Sequence, residues 1–279
     1  MTSPPDLPQR VLLHHGGPDT AWGNLGCWPD AGAAAVHYTA AAEALARRVG
    51  DAAALQPGER VLDIACGGGD SLRLWLQAYG VRSVHGLELD TAAVQSALAM
   101  SRAEGLGRRI HVTAGSAMGP LPSVPRGFDA VLCVDAAYHL SPRTLWLGAV
   151  HAALRPGGRL AFTDLVLDRG LVGRVLLRGA ARLSGVVVDD LVDVDTLAQR
   201  LASRGYVDVQ IERLDDAVLG GFVRFVQRQR EALGALARGA AWRRIAVTAA
   251  LIPPCRAAGL GYALVSARRP SKGAGTSGP

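Results

Sequence analysis

The chain has 279 residues, 49% of them apolar, which is enough to bury the core of one α/β domain with a cap or of two small domains. Its net charge of +6 rests on arginine, because Lys272 is the only lysine, and this is more typical of compositional bias than of a nucleic-acid surface. No apolar run could span a bilayer, no signal peptide is recognised, and the four scattered cysteines indicate neither zinc nor disulfides, so we expect a cytoplasmic protein.

Residues 1–30 are predicted to form an N-terminal arm. Four prolines interrupt the first 20 residues, and Trp22 and Trp28 then flank a Gly/Asn turn. Two interpretations remain open for the tryptophans. They either anchor the arm to the core or belong to a lid that closes over a cofactor. At the other end, residues 270–279 are predicted to be a disordered tail.

Residues 31–269 alternate between helices and strands and are predicted to form one domain. The first helix is predicted over 31–49 and the first strand over 60–65. The elements that follow are helices at 70–79, 91–104 and 143–154 and strands at 83–88, 110–114, 128–134 and 159–167. This alternation predicts βαβ crossovers and a doubly wound, mainly parallel sheet, which binds ligands at the carboxyl ends of its strands.

The pattern changes after Leu167, where two insertions are predicted to form a helical cap. The predicted elements are a helix at 194–204, a strand at 207–213, helical segments at 216–240 and 242–252 that end at Pro253-Pro254, and a strand at 262–267. Residues 168–195 and 216–258 are expected to cover the carboxyl edge of the sheet. The predicted apolar roof consists of Leu171, Val172, Val175, Leu176 and Leu177.

A glycine-rich loop follows the first strand, with Gly67, Gly68 and Gly69 in succession. Glycines permit positive φ and a close approach of the backbone to a nucleotide-like ligand. A dinucleotide fingerprint would need a third glycine where Leu72 stands. Asp63, inside the strand, would also repel a pyrophosphate. A cationic, phosphate-free nucleoside is therefore the better electrostatic match.

Four ordered stretches resemble the motifs of class I S-adenosylmethionine-dependent methyltransferases of the small-molecule, natural-product type. They read D-I-A-C-G-G-G-D, H-G-L-E-L-D, F-D-A-V-L-C-V-D-A-A-Y-H-L and L-R-P-G-G-R-L. The resemblance covers about residues 22–167. It implies a Rossmann-like, doubly wound seven-stranded sheet, with S-adenosyl-L-methionine as cofactor and S-adenosyl-L-homocysteine as product.

The resemblance also implies the residues that bind the cofactor. Asp63, Gly67 and Gly69 are assigned to the methionine end, and Ala65 and, after the fourth strand, Asp135 are also predicted to bind the cofactor. Glu88 matches the acid that binds the ribose hydroxyls, and Leu89 would pack against adenine. Many relatives have an acid after the third strand that binds the adenine amino group. Here Ser116 and Ala117 stand in its place, and Ser116 can still form a hydrogen bond.

The residues just beyond the fourth strand are the candidates for catalysis. Asp135, Tyr138 and His139 resemble an E-S-x-x-H-M stretch, in which the histidine often acts as a base. We predict that His139 is the base or orients the substrate, while a packing role remains the alternative. Tyr138 is predicted to be a hydrogen-bond donor or aromatic wall, unless it only packs in the core. Trp22 and Tyr38 are predicted to contact the substrate, and no metal site is predicted.

The acceptor follows by exclusion. The turn after the fourth strand lacks the [ND]-P-P-[YF] sequence of amino-methyltransferases, and Cys133 lies in an apolar strand, unlike a nucleophile of RNA cytosine enzymes. We predict a small apolar or aromatic acceptor (indolic, phenolic or isoprenoid) of specialised metabolism, favouring carbon over nitrogen or oxygen while leaving all three open. The alternatives are an RNA-binding methyltransferase that uses the arginine-rich region 224–244 and a non-catalytic methyltransferase-like partner protein. A homodimer is left open.

Overall fold

The computed structural model describes residues 12–14, 20–29, 36–169, 172–175, 177–179 and 186–271. The strands in this part of the chain are β1 Arg60–Ile64, β2 Ser83–Glu88, β3 Ile110–Ala114, β4 Phe128–Cys133, β5 Leu154–Leu167, β6 Val207–Arg213 and β7 Leu260–Arg268. They form one seven-stranded sheet in the order β3-β2-β1-β4-β5-β7-β6. The predicted doubly wound, seven-stranded fold is therefore confirmed.

Helices cover both faces of this sheet. Within the described residues they are α1 Tyr38–Ala52, α2 Asp70–Ala78, α3 Thr91–Ala103, α4 Arg143–Ala153, α5 Val194–Ser203, α6 Gly221–Leu233 and α7 Ala240–Ala257. Trp75 of α2 lies in the core on one face, and Trp146 of α4 lies in the core on the other, both fully buried. Among these helices, none is long and apolar enough to cross a membrane.

The order of the strands locates the point where a ligand is expected. β1 pairs in parallel with both β2 and β4, whereas β7 runs antiparallel to β5 and β6. The chain moves outward from β1 through β2 to β3 and then returns to β4 on the other side of β1. Such a reversal opens a crevice at the carboxyl ends of the two central strands. Because Asp63 lies opposite Leu132, the segments that follow β1 and β4 are side by side.

β5 begins earlier than predicted, at Leu154 instead of Arg159. Leu154 pairs with Phe128 and Arg159 pairs with Ala130, so the residues between Leu154 and Arg159 form a bulge in the strand. A Cβ on Gly158 would lie 2.9 Å from the carbonyl oxygen of Arg155, which explains the glycine. Residues 154–158, which precede the predicted strand, are therefore part of its irregular first half.

The helical bounds of the cap also differ from the prediction. The segment predicted as one helix at 216–240 consists of a π-helix (Asp216–Gly220), α6 and a 3₁₀-helix (Gly234–Arg238). Pro253 and Pro254 do not end the last helix, because α7 continues to Ala257. Both prolines are exposed, so water can satisfy the carbonyl groups that they leave without a helical partner.

The predicted apolar roof is only partly correct. Val172 and Val175 are 66% and 57% exposed, whereas Leu177 is buried. Gly173 is also buried, so the face that carries Gly173 and Leu177, four residues apart, is the inner one. Leu171 and Leu176 lie outside the described residues, as do residues 31–35 of the predicted first helix.

Candidate active site

The glycine loop occupies the crevice at the end of β1. Ala65, Gly67 and Gly69 all have positive φ, and Gly69 is the N-terminal cap of α2. A Cβ on Gly69 would lie 2.7 Å from the Cε atom of Met100, whereas one on Gly67 would meet nothing within 4 Å. Gly69 is thus required by packing against α3. The free space at Gly67 leaves its backbone open to a ligand.

A pocket of about 210 Å³ lies beside this loop and is called here the small pocket. Its lining includes three carboxylates, of Asp63, Asp70 and Asp135, and no Lys, Arg or His among the described residues. The full lining consists of Ala21, Trp22, Gly23, Asn24, Asp63, Ala65, Cys66, Gly67, Asp70, Ser71, Val134, Asp135 and Ala136. A site of this charge attracts a cation and repels a phosphate. It fits the ammonium and sulfonium groups of S-adenosylmethionine.

Asp63 is the most deeply buried of these carboxylates. It is 1% exposed, and the indole N–H of Trp75 donates a hydrogen bond to it over 2.7 Å. Burial raises the pKa of Asp63 to about 6, although hydrogen bonds from Ser71 and Trp75 oppose the shift. A cation beside Asp63 would restore the favourable interactions that its carboxylate lost on leaving water.

The N-terminal arm lies across the small pocket. The N–H of Ala21 donates to Asp70 over 2.5 Å, and the N–H of Leu25 donates to Asp135 over 2.6 Å. Trp28 stacks on Phe225 of α6 with ring centroids 4.7 Å apart. Trp28 thus anchors the arm to α6, while the segment from Ala21 to Asn24 lines the small pocket.

The residues predicted for ribose and adenine lie at the carboxyl ends of the next two strands. Glu88 ends β2, and its carboxylate accepts hydrogen bonds from the N–H groups of Gly67 and Asp90, each over 2.9 Å. Leu89 is 72% exposed although it is large and apolar. The Ser116 hydroxyl accepts a hydrogen bond from the N–H of Met118 over 3.2 Å, and Ala117, next to Ser116, is buried. These residues continue the line of strand ends from the small pocket along the edge of the sheet.

Asp135 is the centre of a hydrogen-bond network at the end of β4. It has a φ of 55°, and its carboxylate accepts hydrogen bonds from the hydroxyls of Tyr138 and Tyr262, over 3.0 and 2.6 Å. The Thr163 hydroxyl accepts from the N–H of Asp135 over 2.7 Å. Burial raises the pKa of Asp135. Burial and the Asp135 carboxylate together hold the pKa of both tyrosines well above the usual range, so the phenols stay protonated.

A second, larger cavity of about 670 Å³, called here the large cavity, is lined by Leu25 and Tyr138, which both donate to Asp135. Its described lining is mostly apolar and contains no carboxylate, and the Tyr138 and His139 rings, 4.4 Å apart, form part of its wall. The other lining residues are Leu25, Leu165, Leu177, Val186, Val188, Leu191, Leu219, Ala240, Arg243, Arg244, Val247, Thr248, Leu251, Ile252, Cys255 and Leu260. The volume is that of a pocket for a small organic molecule.

The two residues predicted to contact the substrate from the N-terminal region do not line the large cavity. Trp22 lines the small pocket instead. Tyr38 is 2% exposed, its hydroxyl donates to the carbonyl of Asn24 over 2.6 Å, and its ring stacks on Phe225. The structure thus puts Tyr38 in the core that supports the arm. Cys133 is buried too, and burial raises the pKa of its thiol, as expected for an unreactive cysteine.

The sequence interpretation missed three residues that complete the site: Leu25, Thr163 and Tyr262. Thr163 reaches Asp135 because β5 pairs with β4, and Tyr262 reaches it because β7 pairs in turn with β5. Their positions in chain order carry no motif, so only the pairing of distant strands reveals them. The aromatic arm from Trp22 to Trp28 was the one available signal for Leu25.

Comparison with known sequences agrees with this geometry. A family profile described as a methyltransferase domain matches residues 61–158. The erythromycin 3''-O-methyltransferase of Saccharopolyspora erythraea is 30% identical over 213 residues, which cover 74% of this chain and 68% of that protein. The O-methyltransferase rstn1 of Aspergillus nomiae is 29% identical over 130 residues, 47% of this chain. The chain spans only 57% of that fungal relative.

Among solved structures, the [4+2]-cyclase SpnF superposes with a TM-score of 0.72 and 23% identity, covering 94% of both chains. A likeness at this identity shows the fold alone. The name of this neighbour is that of a cyclase, so the fold by itself does not determine the reaction. The chemistry has to be argued from the residues around the two pockets.

Proposed function

Because the chain belongs to the S-adenosylmethionine-dependent methyltransferases, we propose that it methylates a hydroxyl oxygen of a small, largely apolar natural product. Methylation of a small molecule is what its relatives share. The large cavity supports an apolar acceptor, because its wall is built mainly from Leu, Ile and Val side chains. An oxygen acceptor is supported by the relative from Saccharopolyspora erythraea, whose name is that of an O-methyltransferase of erythromycin.

The observation that carries this proposal is the position of Asp135 between the two pockets. Asp135 lines the small pocket, and two of the three groups that donate to its carboxylate, the Leu25 N–H and the Tyr138 hydroxyl, belong to residues that line the large cavity. Leu25, Asp135 and Tyr138 are called here the partition. A donor on one side of the partition and an acceptor on the other are adjacent, as a direct transfer requires.

Bound in the small pocket, S-adenosylmethionine supplies a methyl group on a positively charged sulfur. Asp63 and Asp135 stabilise the positive charge of the methionine end, and the open backbone at Gly67 lets it approach. Glu88 accepts hydrogen bonds from the ribose hydroxyls. Leu89 covers one face of the adenine, which accounts for the exposure of so large an apolar side chain. Ser116 offers a hydrogen bond at the adenine edge.

His139 is proposed to remove the proton of the acceptor hydroxyl. It lines the large cavity beside the partition, and its side chain interacts electrostatically with Asp135. A histidine positioned beside an acceptor hydroxyl can take up its proton as a general base. Tyr138 has a different role. Its phenol proton is donated to Asp135, so Tyr138 orients the acceptor as an aromatic wall and does not act as a base.

The choice of oxygen departs from the preference for carbon in the sequence analysis. The described lining of the large cavity holds no carboxylate that could bind an ammonium acceptor, which disfavours amines. A hydroxyl needs one base and no counter-charge, and His139 meets that need. No residue of the lining specifically favours a carbon nucleophile.

The proposal can be tested by transfer of a tritiated methyl group from S-adenosylmethionine to a panel of hydroxylated macrolides, phenols and isoprenols. Leu251→Trp would fill part of the large cavity and should abolish transfer to whichever compound is methylated. Ala250→Trp, on the exposed face of the same helix, is the matched control and should retain transfer. Unchanged binding of S-adenosylhomocysteine would show that both variants are folded. Full transfer by Leu251→Trp would contradict the assignment of the acceptor to this cavity.

A further inference from the structure

The two arginines of the large cavity, Arg243 and Arg244, lie near one end of α7. This helix lines the cavity from Arg243 to Cys255 with residues that recur every three to four positions, so one face of it forms a wall. Arg243 and Arg244 are exposed in its first turn, whereas Ile252 and Cys255 are buried near its end. The wall therefore changes from cationic at the mouth to apolar inside.

The two arginines have no counter-charge in the described part of the chain. No carboxylate lies in the lining, and neither Arg243 nor Arg244 has an ion pair or side-chain hydrogen bond there. Two other arginines of the cap, Arg224 and Arg256, share the carboxylate of Asp216. Two adjacent cations in the first turn also oppose the helix dipole, so their position does not stabilise α7. They are unneutralised charges directed at a ligand site.

The cationic end is far from the point of methyl transfer. The end of α7 leads into β7, whose Tyr262 donates to Asp135 of the partition. Arg244 and Cys255 are separated by about 16 Å along the helix axis, at about 1.5 Å per residue. A ligand that touches both the partition and the arginines must be elongated, with an apolar body between its two ends.

We propose that the acceptor is an elongated, apolar molecule that carries a carboxylate or phosphate group, and that Arg243 and Arg244 bind this anion at the mouth of the large cavity. The inference rests on the proposed function, because it assumes that the large cavity holds the acceptor. A guanidinium binds carboxylate and phosphate oxygens through two parallel hydrogen bonds, so this pair of side chains selects for such an anion. The arginines then set the register of the acceptor, which brings its far end to His139.

The test compares ligands that share one apolar chain and differ in the head group. Dodecanoate, dodecyl phosphate, dodecanol and dodecylamine are titrated by calorimetry into the protein saturated with S-adenosylhomocysteine. Because charge-assisted hydrogen bonds at an exposed site are partly screened, we expect at least one of the anions to bind about tenfold more tightly than dodecanol and the amine to bind most weakly. The order of the two anions distinguishes a carboxylate ligand from a phosphate ligand.

Arg243→Gln and Arg244→Gln should each reduce the ratio of the affinity for the anion to the affinity for dodecanol by about threefold. The double variant should show no preference for the anion, while its affinity for dodecanol stays unchanged. Arg228→Gln, an exposed arginine of α6 outside the lining, is the matched control. Equal binding of anion and alcohol by the unmodified protein, or an unchanged preference in the double variant, would overturn the inference alone. Failure of all four ligands to bind would overturn both this inference and the assignment of the cavity to the acceptor.

Discussion

The two pockets that meet at Asp135 are built from different material. The small pocket is polar and takes nearly all of its lining from three short segments, residues 21–24, 63–71 and 134–136. The large cavity is mostly apolar and takes its lining from one face of α7 and from segments spread between Leu25 and Leu260. Backbone geometry and charge define the small pocket, whereas shape and apolar surface define the large cavity. Because the two pockets use different residues, the lining of the large cavity can change to suit another acceptor while the cofactor pocket stays the same.

The largest effect is expected on kcat when His139, beside the partition, is replaced. His139→Gln should lower kcat with the acceptor by about 100- to 10,000-fold, the range typical of a general base. The affinity for S-adenosylhomocysteine should not change, because His139 lines only the large cavity. His111→Gln, an exposed histidine on β3, is the control and should retain full activity. Steady-state kinetics with tritiated cofactor provide the measurement, and an undiminished rate in His139→Gln would remove it from the mechanism.

The second prediction compares two glycine substitutions in the loop beside the small pocket. Gly69→Ala should lower the free energy of unfolding by about 2 to 4 kcal/mol, because a Cβ at positive φ is strained and would press on Met100 and Ala97. Gly67→Ala also has positive φ but meets no atom, so it should cost only about 1 kcal/mol. Urea denaturation measures both. Equal losses would mean that packing against α3 does not explain Gly69.

A third prediction separates the pockets by charge. Asp63→Asn should weaken the binding of S-adenosylhomocysteine by about 10- to 100-fold, because the buried anion is lost. The amide keeps an oxygen that accepts the hydrogen bond of Trp75, so we expect the fold to be retained. Dodecanoate should bind the variant as tightly as it binds the unmodified protein, since Asp63 lines only the small pocket. Calorimetry with both ligands gives the comparison, and parallel losses of both affinities would argue against separate pockets.

The smallest effect concerns pH. Since burial raises the pKa of Asp63 to about 6, from about 3.9 in the unfolded chain, the folded state holds the extra proton between these values. Without ligand, Asp63 therefore makes the protein less stable as pH rises through this window. Binding of a cation needs the ionised carboxylate, so affinity for S-adenosylhomocysteine should fall severalfold as pH drops below about 6.

Titration of the Asp63→Asn variant over the same pH range supplies the control. Its affinity should depend less on pH, and the remaining dependence belongs to Asp135, whose pKa is also raised by burial. A slope as steep in the variant as in the unmodified protein would assign the titration to another group.

The contrast between the small pocket and the large cavity also explains which parts of the structure could be predicted from the sequence. The sheet and the loops after β1 and β4 are local: an apolar run, a glycine turn and an acid follow one another in the chain, and the parallel sheet then brings the loop ends together. The large cavity depends on tertiary structure. Tyr262 reaches Asp135 only through the pairing of β5 and β7, and α7 continues through Pro253 and Pro254, contrary to the local rule. Arg243 and Arg244, which belong to the arginine-rich region 224–244, line the cavity, and no local pattern indicates this.

A crystal structure with bound S-adenosylhomocysteine tests the central claim most directly. Our account predicts that the amino-acid end lies beside Asp63 and Asp135, and that the sulfur faces the partition formed by Leu25, Asp135 and Tyr138, with the large cavity directly beyond it. A sulfur atom that faces away from the large cavity, or a nucleoside bound outside the crevice between β1 and β4, would contradict it.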